Sequence, residues 1–175
     1  ALPATASAAS FYDRTIIGPD GIPPCYARTY AADHLAAHPK QKVTQFFLTR
    51  SEVDIGSPPA SFGVGFGFRL KGSRDVFAAL AECFSDGEGA SCSVEGDGGG
   101  FRLTPRPDGL LVSVDERLEL EGISGFSPNL HHSDDREFRL YVSPPEACYV
   151  DVFGGEGDGE GGKSEGLKPS IERPG

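Results

Sequence analysis

The chain has 175 residues, which is the size of one domain with a self-sufficient hydrophobic core. Its 26 acidic and 16 basic side chains leave a net charge of −10, which disfavours binding to nucleic acid phosphates and anionic lipid. No stretch approaches the roughly 20 apolar residues that a membrane-spanning helix requires. Composition therefore predicts one domain with no membrane span and no nucleic acid partner, and the charge favours a basic partner.

The termini and the cysteines indicate export. The chain contains no methionine, even at position 1, and begins with the small residues ALPATASAAS, which resemble the surroundings of a signal-peptidase site. Four cysteines without a CxxC pair favour two disulfides over a zinc ribbon or a thioredoxin-like motif. We therefore expect a processed protein in the periplasm or outside the cell.

The first part of the chain predicts two strands joined by a helical turn. Residues 1–20 show little periodicity and are expected to be flexible or loosely packed, with a single β-rich domain over 21–153. CYARTY at 25–30 is interpreted as a strand, and AADHLAAH at 31–38 as a helical turn that Pro39 ends. The β-branched and aromatic residues of KVTQFFLTR at 42–50 predict the next strand.

The clearest strand is SFGVGFGFRLK, residues 61–71. Its alternate residues form one apolar face and one face of three glycines followed by basic side chains. Glycines weaken a strand unless the sheet bends or another group approaches the backbone closely. The pattern predicts a core strand of a curved sheet whose glycine face meets an aromatic side chain, a helix or a ligand.

Beyond Lys71 the apolar spacing changes to one typical of a helix. Val76, Phe77, Leu80 and Phe84 lie at helical spacing in an alanine-rich run, and Ser73 is placed to cap its N-terminus. The sequence therefore predicts one helix over residues 74–84, packed on the sheet.

The remaining chain alternates strands and turns. The run LLVSVDERLELEG predicts a half-buried strand with a bend near Asp115 and Glu116. A long aperiodic loop at 122–136 precedes the next strand, and the Gly-rich acidic segment at 154–175 is interpreted as a low-complexity tail. Further strands are predicted at 91–95, 100–106, 137–143 and 147–153.

The cysteine positions favour one disulfide connectivity among three. Only a short loop separates Cys83 from Cys92, so a local disulfide is geometrically reasonable. Cys25 would then pair with Cys148 and tie the first clear strand to the end of the domain. This pairing is a hypothesis that rests on proximity.

Four histidines suggest a metal site. His34 and His38 are four residues apart on the predicted helical turn, while His131 and His132 lie in a loop beside Asp134 and Asp135. If the fold brought the two groups together, their nitrogen and oxygen ligands would suit Zn²⁺ or Cu²⁺.

Other motifs fail on their context. GDGGG at 96–100 and GVGFG at 63–67 do not lead into a helix, as a phosphate-binding loop would. The acidic tail lacks the glutamate that an EF-hand needs at its last position, and no catalytic motif such as GxSxG or HExxH occurs. Ser124, near the histidine loop, is too weak a coincidence to call catalytic.

These observations predict a mainly β fold, an antiparallel sandwich or closed barrel of about eight or nine strands with one packed helix. A barrel of this size could hold a small ligand. The leading functional interpretation is an exported, non-enzymatic binding or accessory protein that recognises a protein partner or small ligand through loops at one end of the sheet. A periplasmic metal-binding protein and a small secreted hydrolase are the alternatives.

Overall fold

The computed structural model describes residues 10–18 and 20–149. Within them the chain forms a closed antiparallel barrel of eight strands, which decides between the predicted barrel and the sandwich. Strand β10 closes the barrel by pairing with β1, so that no barrel edge is left unpaired. The barrel strands are β1 Cys25–Thr29, β2 Val43–Arg50, β3 Ser61–Leu70, β4 Val76–Asp86, β5 Gly89–Val94, β6 Gly99–Arg106, β7 Gly109–Leu118 and β10 Glu137–Ser143, and β8 Glu121–Gly122 with β9 Gly125–Phe126 forms a separate ribbon.

Phenylalanine side chains fill the barrel interior. The Phe46 ring lies 4.6 Å from the Phe138 ring and 6.1 Å from the Phe66 ring, measured between centroids. Phe66 in turn meets the edge of Phe101 at 4.8 Å, and all four side chains are fully or almost fully buried. The interior is therefore a packed core, and a ligand has to bind outside it.

Short helical segments cover both ends of the barrel. A π-helical turn, Tyr12–Ile17, covers the end where β3 begins, and the Tyr26 hydroxyl donates a hydrogen bond to the Thr15 carbonyl at 2.7 Å. Leu35 of α1 (Ala32–Ala37) and Leu130 of the 3₁₀ turn Leu130–His132 pack on the core from the other end, here called the α1 end.

The N-terminal segment contributes more to the core than its composition suggested. The sequence placed residues 1–20 outside the packed domain, whereas Phe11, Tyr12 and Ile16 are buried in the core cluster. Because Phe11 and Tyr12 both contact Phe62, the π-helical turn acts as a lid of the barrel.

The glycine face of β3 admits an aromatic ring, as its pattern predicted. Phe47 lies directly opposite Gly67 on the neighbouring strand and belongs to an apolar cluster on the outer surface of the barrel. A Cβ atom at Gly67 would lie 2.5 Å from Cζ of Phe47 and 2.6 Å from the Phe77 carbonyl oxygen. The missing side chain therefore makes the room in which Phe47 packs.

The predicted helix over residues 74–84 is wrong, because this segment is strand β4. Phe77, Ala81 and Cys83 face the barrel core, while Val76 and Ala78 pack in the outer cluster beside Phe47. Since both faces are apolar at the start of the strand, the alternation of a half-buried strand is hidden. Long-range pairing with β3 and β5 outweighs the helix propensity of the alanines.

Both expected disulfides are present. Cys83 and Cys92 occupy directly opposed positions on β4 and β5, and Cys25 joins β1 to Cys148. Cys148 ends a 3₁₀ turn, Pro145–Cys148, so the strand predicted over 147–153 is wrong at its start and β10 is the last strand of the barrel. A proline at the first position favours such a turn. The rest of that predicted strand and the tail at 154–175 lie outside the described residues.

Replacing Gly67 with valine is expected to lower the free energy of unfolding by about 3 kcal/mol, because the new side chain overlaps Phe47 and the β4 backbone. Urea denaturation of the purified protein measures this change. Arg69→Val, which alters the same face of β3 at a half-exposed position, is the control and should shift stability by less than about 1 kcal/mol. Equal stability of wild type and Gly67→Val would contradict the assigned packing.

Candidate functional site

The structure joins the four histidines only in sequence-local pairs. His34 of α1 and His38 at its C-terminal end stack with ring centroids 4.3 Å apart, and the Tyr30 ring lies 4.9 Å from the His34 ring at a tilt of 34°. His131 and His132 meet edge to face at 6.3 Å. Within residues 10–18 and 20–149, no group of three or more His, Cys, Asp or Glu side chains is arranged to hold a metal ion.

Hydrogen bonds within the protein already use part of each imidazole on α1. Nε2 of His34 lies 3.0 Å from Oε1 of Gln41, and Nδ1 of His38 lies 2.9 Å from the His34 carbonyl oxygen. Nδ1 of His131 is buried and has no hydrogen-bond partner among the described residues. The imidazoles of His34 and His38 therefore each have one ring nitrogen that makes no hydrogen bond to the described residues.

Asp135, which the sequence grouped with the histidines, holds the backbone of β2. Its carboxylate accepts hydrogen bonds from the amides of Lys42 and Val43 at 2.9 and 3.0 Å and from the Ser133 hydroxyl. The side chain is 1% exposed. These contacts fasten the histidine loop to the start of β2, where the strand pairing is irregular.

Asp135→Ala is expected to destabilise the protein by about 3 kcal/mol, since buried backbone amides would lose a charged acceptor. Chemical denaturation measures the loss. Asp134→Ala removes the neighbouring, exposed carboxylate and should be nearly neutral. A similar small effect of both variants would show that Asp135 does not fasten the loop.

A concave surface lies on the outside of the barrel at the α1 end. This cleft, here called the acidic cleft, has a volume of about 660 Å³. The cleft has an apolar floor, an acidic rim and an apolar lip. The floor is lined by Val76, Ala78, Val94 and Leu120, and the rim by Glu95, Asp97, Glu119 and Glu121. The lip consists of Ile123 and Phe126. A volume of this size falls in the range typical of ligand-binding pockets.

Hydrogen bonds between the loops hold the walls of the acidic cleft together. Nε of Arg117 donates to the Asp97 carbonyl at 2.6 Å, and its guanidinium forms an ion pair with Glu119 at 3.1 Å. The Glu119 amide donates to the Gly98 carbonyl at 3.0 Å. The turn after β5 is thus fastened to the chain after β7, so the cleft has a defined shape without a ligand.

The lip of the acidic cleft is fastened separately. The amide of Ser124 donates to the Asp75 carboxylate at 2.9 Å, and its hydroxyl contacts the same carboxylate at 3.2 Å. Gly122 lies so close to Phe77 that a Cβ atom there would be 2.7 Å from the ring. These contacts hold Ile123 and Phe126 at the rim while leaving them 60% and 69% exposed.

The charge of this surface is predominantly negative. Its single arginine, Arg117, is already paired with Glu119. Two shallower depressions extend the cleft, and the further one is lined by Asp115 and Glu116. Partial burial, and secondly the neighbouring Glu116 carboxylate, raise the pKa of Asp115 above its usual value. An approaching cation would relieve this repulsion.

Asp115→Asn is expected to raise the free energy of unfolding at neutral pH. Because folding raises the pKa of Asp115, the folded state binds this proton more tightly than the unfolded state does. The free energy of unfolding therefore falls as the pH rises past the pKa that Asp115 has in the unfolded chain. Asparagine does not titrate, so the variant lacks this loss of stability. Urea unfolding at about pH 7 and about pH 3 measures the effect, which should be larger at neutral pH. Glu121→Gln, at an exposed position, is the control, and a destabilising Asp115→Asn at neutral pH would contradict the prediction.

The sequence did not point to the acidic cleft. Ile123 and Phe126 were a usable signal, because exposed apolar residues in an otherwise polar loop often mark a contact surface. Glu95 and Asp97 resembled solvated turn residues, and only the fold places them opposite Glu119 and Glu121.

Comparison with known proteins finds no matching family, no similar curated protein and no similar solved structure. Function therefore has to be argued from geometry and charge.

No helix in the described ranges combines the length and the apolar character needed to cross a membrane.

Proposed function

We propose that the protein is an exported, non-enzymatic binding protein and that the acidic cleft holds a positively charged, partly apolar partner or ligand. The observation that carries the proposal is the pair Ile123 and Phe126, which remain exposed above an apolar floor within an acidic rim. Apolar side chains held in this way lose contact with water only when something binds.

Separate observations support export and a non-enzymatic role. Two disulfides are typical of proteins that fold in oxidising compartments. At the cleft, the Ser124 hydroxyl contacts Asp75 rather than a histidine, which supports a role for this serine in holding the lip. These points favour binding over the alternative of a small secreted hydrolase.

Metal binding is the second candidate function, supported by the stacked imidazoles of His34 and His38 on α1. Stable zinc sites use at least three protein ligands, so this pair would need ligands from elsewhere. The acidic cleft has the better support because its shape, charge and exposed apolar groups coincide in one place.

The double variant Ile123→Ser/Phe126→Ser tests the proposed function. Both side chains are mostly exposed, so the variant should fold normally. The assay passes the exported fraction of producing cells over immobilised protein. We expect the wild-type protein to retain a partner from this fraction and the double variant to lose it. Val142→Ser, which removes another exposed apolar side chain at the opposite end of the barrel, is the control. Retention should weaken at about 0.5 M salt because charge attraction is screened.

The proposal fails if wild type and the Ile123/Phe126 variant retain the same molecules to the same extent. It also fails if Val142→Ser reduces retention as strongly as the double variant, because binding would then depend on general surface hydrophobicity.

A further inference from the structure

We infer that the occupant of the acidic cleft is an extended segment of a partner protein in which lysine or arginine residues adjoin an apolar residue. This inference rests on the proposed function and adds the class of partner. It follows from the shape, the charge distribution and the apolar centre of the surface.

The concave surface is longer than a single pocket. The acidic cleft shares Val94, Gly96 and Arg117 with a first, shallower depression. That depression shares Gly99 and Arg117 with a second one, which reaches Asp115 and Glu116. The result is one continuous furrow along the turn between β5 and β6. An extended chain, which advances about 3.3 Å per residue, occupies such a furrow better than a compact ligand does.

Negative charge adjoins the apolar centre and continues along the furrow. Glu95 and Asp97 stand on the turn beside the floor, and Asp115 and Glu116 stand further along the furrow. All four are exposed, and no ion pair involves them among the described residues. A segment in which several lysine or arginine residues adjoin an apolar residue matches this charge distribution.

The apolar centre fits one side chain of such a segment. Ile123 and Phe126 stand over Val76 and Leu120, and the contacts of Ser124 with Asp75 hold the lip in place. Long lysine and arginine side chains have flexible apolar stems, so their charged groups can reach the rim while a neighbouring residue enters the centre. A small amphiphilic cation would satisfy the centre but only one acidic group of the furrow.

The test uses short acetylated and amidated peptides added to the ¹⁵N-labelled full chain. The probe GKRLRKG carries the proposed pattern, GEELEEG reverses its charges, and GKRSRKG removes its apolar residue. We expect GKRLRKG to shift the amide signals of Gly96 and Gly98, GKRSRKG to bind more weakly, and GEELEEG to leave these signals unchanged.

Charge variants identify the binding surface. Glu95→Gln/Asp97→Asn should raise the Kd of GKRLRKG about tenfold, because two nearby charges are lost. Asp54→Asn/Glu88→Gln removes the same net charge from exposed positions at the opposite end of the barrel and should change the Kd by less than about twofold. Thermal unfolding of each variant verifies that the fold is retained.

Octylammonium, a small amphiphilic cation, separates the inference from the proposed function. If octylammonium shifts Gly96 and Gly98 while GKRLRKG does not, the ligand is a small molecule and the inference is overturned although the cleft still binds. If both charge variants weaken the peptide equally, attraction is only to net charge and the inference also fails. If neither probe binds and the Ile123/Phe126 variant retains partners as wild type does, both proposals fail.

Discussion

The stacking of phenylalanine rings inside the barrel is the constraint on which the structure depends. Eight strands close around rings from several strands, with Phe46 and Phe66 near the centre of the set. Closure pairs the strand edges, and the rings exclude water from the interior. Among the described residues these side chains fill the interior, and the proposed binding surface lies on the outside of the barrel.

The acidic cleft arises where the chain departs from regular barrel geometry. The pairing of β6 with β7 shifts between Gly99 and Phe101, and this shift leaves the Asp115–Arg117 segment outside the regular register. The short β8–β9 ribbon then folds back over the start of β4. Bulges commonly re-aim side chains at the rims of barrels, and here the irregular segment directs acidic groups to one surface.

The most suggestive sequence features proved to be structural, as Asp135 illustrates. It lies beside the histidines in the chain, yet its carboxylate accepts two backbone amides of β2 and one hydroxyl. Gly67 of β3 likewise makes room for the ring of Phe47. A residue type that suits catalysis or metal binding also suits the hydrogen bonding and close packing that any fold requires.

Local patterns in the sequence determined much of the architecture. Alternation in β3, β7 and β10 and the β-branched and aromatic residues of β2 predicted these strands. The register break near Asp115 was expected as a bend, and proximity of the cysteines predicted both disulfides. Such features depend on residues that are close in sequence, because the side chains of each strand alternate between a buried and an exposed face.

Only the tertiary structure decided the rest. Segment 74–84 became a strand because its partners β3 and β5 supply hydrogen bonds and apolar contacts on both faces, which no local pattern records. Three further features join residues that are far apart in the chain. They are the closure of the barrel by β1 and β10, the lid formed by Tyr12–Ile17, and the cleft that Glu95 and Ile123 both line. Contacts of that kind depend on how the barrel closes, and a one-dimensional pattern contains no information on which distant residues become neighbours.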